Sequence, residues 1–229
     1  IAFAKGLAMA TGKPLIPVNH VHAHIFGAFL GLEQYRTDPD SLFPCLALVV
    51  SGGHTNLYYM RHRTNFALIA HSLDDACGEC FDKVAKLIGL PYPGGPEIER
   101  LEAQGTVGKF TMPKHDGTKR LQFSYSGLKT HMLYRIREIG DSMADATRRD
   151  LCAEFQDSAL RQLTRALRAG RERHPEVRSV IVAGGVAANQ RLRALCSQEL
   201  PGLNVHFPKL TYCADNAAMT AGLAWHRLA

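Results

Sequence analysis

The stretch that most constrains this chain is Val49-Val50-Ser51-Gly52-Gly53-His54-Thr55. It follows an apolar run, Cys45-Leu46-Ala47-Leu48-Val49-Val50, whose length and β-branched ending predict a buried strand. Asn56-Leu57-Tyr58-Tyr59-Met60 predicts a second strand, which makes Ser51-Gly52-Gly53 a tight strand-to-strand turn. Adjacent glycines permit positive φ and let backbone N–H groups approach a ligand with no Cβ in the way. Successive N–H groups in such a turn form a concave anion site suited to phosphate. Gly-Gly is also a favoured dipeptide of ordinary hairpins, so the turn alone leaves both readings open.

At 229 residues the chain suits one large domain or two small ones, with 46% hydrophobic and 21% charged residues, as in globular proteins. No apolar run approaches the length of a membrane span, and the N-terminus carries no charged-then-apolar leader. The chain opens inside a helical pattern without an initiator Met and reads as the later part of a longer protein. The net charge of +6 is spread through basic helices (Arg148, Arg149, Arg161, Arg165, Arg168, Arg171, Arg173), which suits a polyanion such as RNA or a solvated helix face. Most of the six cysteines sit in apolar or helical contexts, as reduced thiols do. Cys77-Gly78-Glu79-Cys80 has the spacing of a redox or zinc pair but lacks a second pair.

Strands alternating with helices predict an α/β architecture with helices packed on a sheet. A first helix stops at Gly12, a short strand covers Leu15-Ile16-Pro17-Val18, and Asn19 caps a helix from His20 to about Leu32. A polar loop precedes the strands flanking the glycine turn, and a further strand runs from about Phe66 to His71. Asp74-Asp75 opens a helix to Ile88, and Tyr92-Pro93-Gly94-Gly95-Pro96 is a constrained turn before a helix at Glu97. Residues 105–122 read as a surface excursion, followed by helices to Ile139 and over about Ala144 to Arg173. The ending is strand Ser179 to Ala183, turn Gly184-Gly185-Val186, helix Ala188 to Leu200, strand Asn204 to Phe207 and helix Ala214 to Leu228.

His20 and His24 fall on one face of their helix, where two imidazoles can share one metal, while His22 points about 200° away. Solvent histidines at a helix start are the plainer reading. A third ligand must come from elsewhere, and Asp215 is a candidate, its alternative role being an N-cap. The glycines of Ala183-Gly184-Gly185-Val186-Ala187-Ala188-Asn189 allow a flat base to lie against the backbone, and Asn189 can bond a purine edge. Asp82 and Glu99 flank the Gly94-Gly95 loop, where they suit ribose hydroxyls or ordinary helix-surface positions.

The order and spacing of these motifs resemble the TsaD/Kae/Qri family, formerly labelled O-sialoglycoprotein endopeptidase. The matching segments are Asn19-His20-x-x-x-His24, Val50-Ser51-Gly52-Gly53-His54-Thr55, Asp74-Asp75-Ala76-x-Gly78-Glu79-x-Phe81-Asp82-Lys83, Tyr92-Pro93-Gly94-Gly95-Pro96, Phe123-Ser124-x-Ser126-Gly127-Leu128-Lys129-Thr130, Ala183 to Asn189, and Asp215-Asn216. The resemblance implies an actin-like (sugar kinase/Hsp70-like) ATPase fold of mixed sheets flanked by helices. Residues 1–45 would be the remainder of an incomplete N-terminal lobe, and residues 46–229 a C-terminal lobe with a helical insertion over about 74–175. It implies a transferase that moves threonylcarbamoyl from threonylcarbamoyl-AMP to N6 of the adenosine beside the anticodon of tRNA. By motif match, His20, His24 and Asp215 would hold one divalent metal ion (Fe2+ or Zn2+). Val49, Val50, Ser51, Gly52 and Gly53 would cradle the phosphate, Asp82, Gly95 and Glu99 would contact ribose, and Asn189 would contact the base of an ATP- or AMP-type nucleotide.

The implied protein partners are a paralogous dimer partner, a small ATPase and the adenylate-forming enzyme, in the cytoplasm or the mitochondrial matrix and with no membrane. Val49 stands where archaeal-type members carry a metal-binding Tyr, which fits the bacterial or organellar type. The family's N-terminal phosphate hairpin has no counterpart here, and Cys77 and Cys80 replace small residues, which favours packing for them. Competing readings are a metalloendopeptidase, for which no general-base Glu accompanies His20 and His24, a non-catalytic nucleotide-binding scaffold of the same fold, and a small-molecule O-carbamoyltransferase.

Overall fold

The computed structural model describes residues 1–113, 121–140 and 142–228. Its sheet comprises β1 (Cys45–Val50), β2 (Thr55–Met60), β3 (Ala67–Ser72), β4 (Gln122–Phe123), β5 (Ser179–Ala183) and β6 (Asn204–His206), in the order β4-β3-β2-β1-β5-β6. β1 pairs antiparallel with β2 and β2 with β3, whereas β1–β5, β5–β6 and β3–β4 are parallel. Helices are α1 (Ala2–Thr11), α2 (His20–Phe29), α3 (Glu33–Thr37), α4 (Cys77–Ile88), α5 (Gly94–Glu102), α6 (Ser126–Ile139), α7 (Asp145–Arg173), α8 (Gln190–Glu199) and α9 (Ala217–Leu228).

Because successive strand side chains point to opposite faces, the central strands divide the interior into two cores. Leu46, Leu48 and Val50 of β1, Leu57 and Tyr59 of β2, and Val180 and Val182 of β5 enter a core roofed by α4, α5, α6, α7 and α8. Cys45, Ala47 and Val49, Tyr58 and Met60, and Ile181 and Ala183 enter the other, closed by α2 and α9. Burial on both faces explains why β1 and β5 read as continuous apolar runs.

Several sequence expectations need correction. Leu15 to Val18 forms no strand; the segment runs irregularly into Asn19, whose side chain accepts from the N–H groups of Val21 (2.9 Å) and His22 (3.2 Å) and caps α2. α2 ends at Phe29, and part of the expected polar loop is the short helix α3. Asp74 and Asp75 precede α4 instead of opening it: Asp74 binds Ser124, Tyr125 and Ser126, and Asp75 pairs with Lys83 at 2.7 Å and Lys129 at 3.1 Å. Gly94 and Gly95 form the first turn of α5, not a loop before it. Within 105–122, Met112 and Leu121 are buried and Gln122 starts β4, while residues 114–120 lie outside the described residues.

α7 is also less of a free basic face than its sequence suggests. Arg161 is paired with Asp157 and Glu199, Arg168 with Glu199 and Arg148 with Asp145, so part of its positive charge is balanced by neighbouring carboxylates. All six cysteines are buried and unpaired, and burial pushes the Cys77 thiol up to about 12. At such a value the reactive thiolate is scarce near neutrality, in keeping with packing roles.

Candidate nucleotide cleft and metal centre

β1 and β5 run parallel, with Val49 opposite Ala183, so the segments that leave their C-terminal ends emerge side by side. Ligands of open α/β sheets bind in this position, outside the carboxyl ends of the strands. Here a cleft of about 500 Å³ is lined by Gly52, Gly78, Asp82, Gly95, Glu99 and Asn189, with Phe81, Tyr92 and Val186 among its apolar walls. The structure thus brings together candidates separated by more than 130 residues of chain.

Two close approaches shape the cleft floor. Gly184 adopts φ 92° and ψ 172°, and a Cβ on it would collide with the carbonyl of Val50. A Cβ on Gly78 would lie 2.7 Å from the Ser51 carbonyl oxygen, which accepts the Gly78 N–H at 3.2 Å. The N-terminus of α4 is therefore docked on the glycine turn, and the Cys77 N–H is satisfied by Thr55 Oγ1 at 2.8 Å. Gly52 and Gly53 differ from expectation: neither takes positive φ, and both face open space. Ser51 Oγ accepts the His54 N–H at 3.2 Å and holds the turn. Val49 and Val50 have no exposed surface, main chain included, and do not line the cleft that Gly52 enters.

The candidate ribose acids also serve as helix caps. Asp82 Oδ1 accepts the Gly94 N–H at 2.8 Å at the start of α5, and Glu99 Oε1 accepts the Gln190 N–H at 2.6 Å at the start of α8. Each uses one carboxylate oxygen in this way. Asn189 is the N-cap of α8, accepting from Leu192 at 2.9 Å and donating to the buried Gln156 at 3.0 Å. A planar amide fixed by two bonds is oriented in advance of any ligand.

At the other end the cleft reaches Ala214, next to Asp215. Asp215 Oδ1 lies 3.3 Å from His24 Nε2 and 3.6 Å from His20 Nε2. Asp215 is not the cap of α9; Asn216 accepts the Met219 N–H at 2.9 Å, which leaves the Asp215 carboxylate to face the imidazoles. Ligand atoms of the three residues all lie within 4.8 Å of one another. Donors at about 2.1 Å from a tetrahedral ion sit about 3.4 Å apart, so two imidazoles and a carboxylate with these spacings fit a divalent transition metal. Burial holds His24 below the usual imidazole range, reinforced by His20 and His54 and opposed by Asp215, and a neutral imidazole is the ligating form. His54, the residue after the glycine turn, has its ring 6.4 Å from that of His20 and joins the two halves of the site. His22 instead stacks on Phe66 at 4.0 Å, away from the centre.

Sheet order, flanking helices and a cleft at the strand ends define a protein of the actin-like ATPase fold. HypF in its phosphate- and nucleotide-bound form superposes with a TM-score of 0.63 at 16% identity, over 96% of this chain and 36% of that one. Component A of (R)-2-hydroxyglutaryl-CoA dehydratase from Acidaminococcus fermentans gives 0.51 at 16% identity, over 96% and 70%. Within that fold the chain belongs to the family of tRNA N6-adenosine threonylcarbamoyltransferase, TsaD, whose sequence model matches residues 1–222. Curated relatives of that name are 44% identical in Anaeromyxobacter dehalogenans, over 98% of this chain and 66% of that protein, and 42% identical in Carboxydothermus hydrogenoformans, over 99% and 66%. The chain spans just under two thirds of the length of these relatives. No helix among the described residues is long and apolar enough to cross a membrane.

Proposed function

We propose that the protein transfers a threonylcarbamoyl group from threonylcarbamoyl-AMP to N6 of an adenosine in tRNA. The observation that carries this reading is the meeting of the His20–His24–Asp215 cluster with the Gly52-lined cleft at Ala214. Backbone groups of Ser51, Gly52 and Gly53 would hold the adenylate phosphate, Asp82, Gly95 and Glu99 its ribose, and Asn189 its base. Family membership and the names of the relatives support the reaction class.

Asp82 and Glu99 each retain a carboxylate oxygen for a ribose hydroxyl after capping α5 and α8. The N-terminus of α4 places its positive dipole end behind the Ser51 turn, where it offsets phosphate charge. Held by His20, His24 and Asp215, a divalent ion such as Fe2+ or Zn2+ would polarise the reacting carbonyl and stabilise the departing AMP. The attacking exocyclic amine is a weak nucleophile, so alignment of tRNA and adenylate must supply much of the rate. Protein partners of the modification complex and a cytoplasmic or mitochondrial setting belong to the same proposal.

His20 is the ligand to remove, because its side chain is 52% exposed and contributes little packing, whereas that of His24 is 2% exposed. His20→Ala should lose bound metal and lower transfer to tRNA by at least about 100-fold, with thermal unfolding near that of the parent. Transfer at the parent rate would remove the metal from the reaction.

A further inference from the structure

Asp215 reaches the imidazoles from the segment between β6 and α9, which holds one short 3-10 turn, Leu210–Tyr212, and is otherwise irregular. The anchor is Arg193, on α8. Its Nε donates to the Ala187 carbonyl at 2.9 Å and one Nη to the Pro208 carbonyl at 3.0 Å. The guanidinium lies over the Phe207 ring at 4.7 Å, and the same Nη approaches Cys213 Sγ at 4.0 Å. Cys213 Sγ in turn contacts the Lys209 carbonyl at 3.6 Å. One planar cation therefore touches the segment at its start and again two residues before Asp215.

Its remaining bond goes elsewhere. Ala187 belongs to the short turn Gly185–Ala188, whose neighbours Val186, Ala188 and Asn189 line the cleft. On its far side the Asp215 segment is pressed on α2 at Gly27, where a Cβ would stand 3.1 Å from the Tyr212 carbonyl oxygen. The segment is thus wedged between Arg193 and the helix that carries His20 and His24.

We propose that Arg193 is a positioning residue: it holds the Asp215 segment against α2 and ties that placement to the turn that forms the base end of the cleft. The inference rests on the metal reading above. A fork of rigid donors is suited to this task because it bonds two carbonyls at once; a lysine is a point charge and can replace only part of it.

The test is a Co2+ titration followed by visible absorption, with AMP affinity and thermal unfolding measured beside it, on the parent chain, Arg193→Gln and Arg193→Lys. Arg193→Gln should bind Co2+ about 10- to 100-fold more weakly, the range for groups that orient ligands without touching the metal, and with a changed absorption band. AMP affinity should fall only a few-fold, and Arg193→Lys should recover part of the Co2+ affinity. Parent affinity and spectrum in Arg193→Gln would overturn the proposal while leaving the metal reading in place. Equal losses of Co2+ and AMP affinity with a collapsed unfolding transition would reduce Arg193 to a structural role and also overturn it. A parent chain that binds no Co2+ would overturn the metal reading itself, and the proposal with it.

Discussion

The two glycine turns at the ends of β1 and β5 look interchangeable as sequence and use glycine for opposite reasons. Gly184 sits at φ 92°, ψ 172° with the Val50 carbonyl where a side chain would be. Gly52 and Gly53 have ordinary φ and open space around their would-be Cβ atoms. The Gly184 turn is shaped by close packing, and the Gly52-Gly53 turn is left bare on its cleft side. Their supports differ as well. The Ser51 turn leans on the N-terminus of α4, behind which Asp74 and Asp75 tie the preceding segment to β4, α6 and Lys83. The Gly184 turn leans on Arg193, whose Nε donates to the Ala187 carbonyl at 2.9 Å.

The largest effect should follow Gly184→Ala. It combines a conformation open essentially only to glycine with a steric collision, and a loss of about 3–5 kcal/mol is expected in denaturant unfolding. A loss below about 1 kcal/mol would mean that β1 and β5 separate easily, and the contrast between the turns would fail.

Gly52→Ala should be the mirror image. Its stability should lie within about 0.5 kcal/mol of the parent, as for surface changes. AMP binding by calorimetry should weaken about 10-fold or more, because the methyl group occupies space that the phosphate needs. Unchanged affinity would move the phosphate away from this turn.

The smallest effect concerns acid. Burial acts to raise the carboxyl of Asp75, but the ammonium groups of Lys83 and Lys129 outweigh it, and the carboxyl ends below its usual range. Asp74 behaves alike: burial raises it, and hydrogen bonds from Ser124, Tyr125 and Ser126 more than compensate. A carboxylate depressed in the folded state stabilises fully above the unfolded value of about 3.9, and that stabilisation is lost as pH falls through the folded value. Stability measured from pH 5 down to pH 3 should therefore fall more steeply in the parent than in Asp75→Asn, with the two curves converging at the acid end. Parallel curves would detach Asp75 from the stability of the α4 entrance.

Much of this architecture is legible in local pattern. The apolar run Cys45–Val50, the Asn19 cap and the four-residue spacing of His20 and His24 each state a local geometry, and each is found in place. Leu15 to Val18 misleads because an apolar run is a strand only if another strand pairs with it, and none does here. β4 goes unseen for the converse reason: two residues carry no periodicity, and only β3 beside them makes a strand. Arg193 offers no local signal at all, since a basic residue on a helix reads as solvated until the segment it grips is folded over it.

Sequence alone determined the alternation of strands and helices and the family, and it named the candidate residues of the site, because periods, caps and motif spacing are properties of neighbouring residues. Tertiary structure decided which of two adjacent residues, Asp215 or Asn216, caps α9 and which faces the imidazoles. It also decided which glycines are packed and which are open. Those outcomes depend on carbonyls, rings and charges brought from distant parts of the chain, and only packing sets their distances.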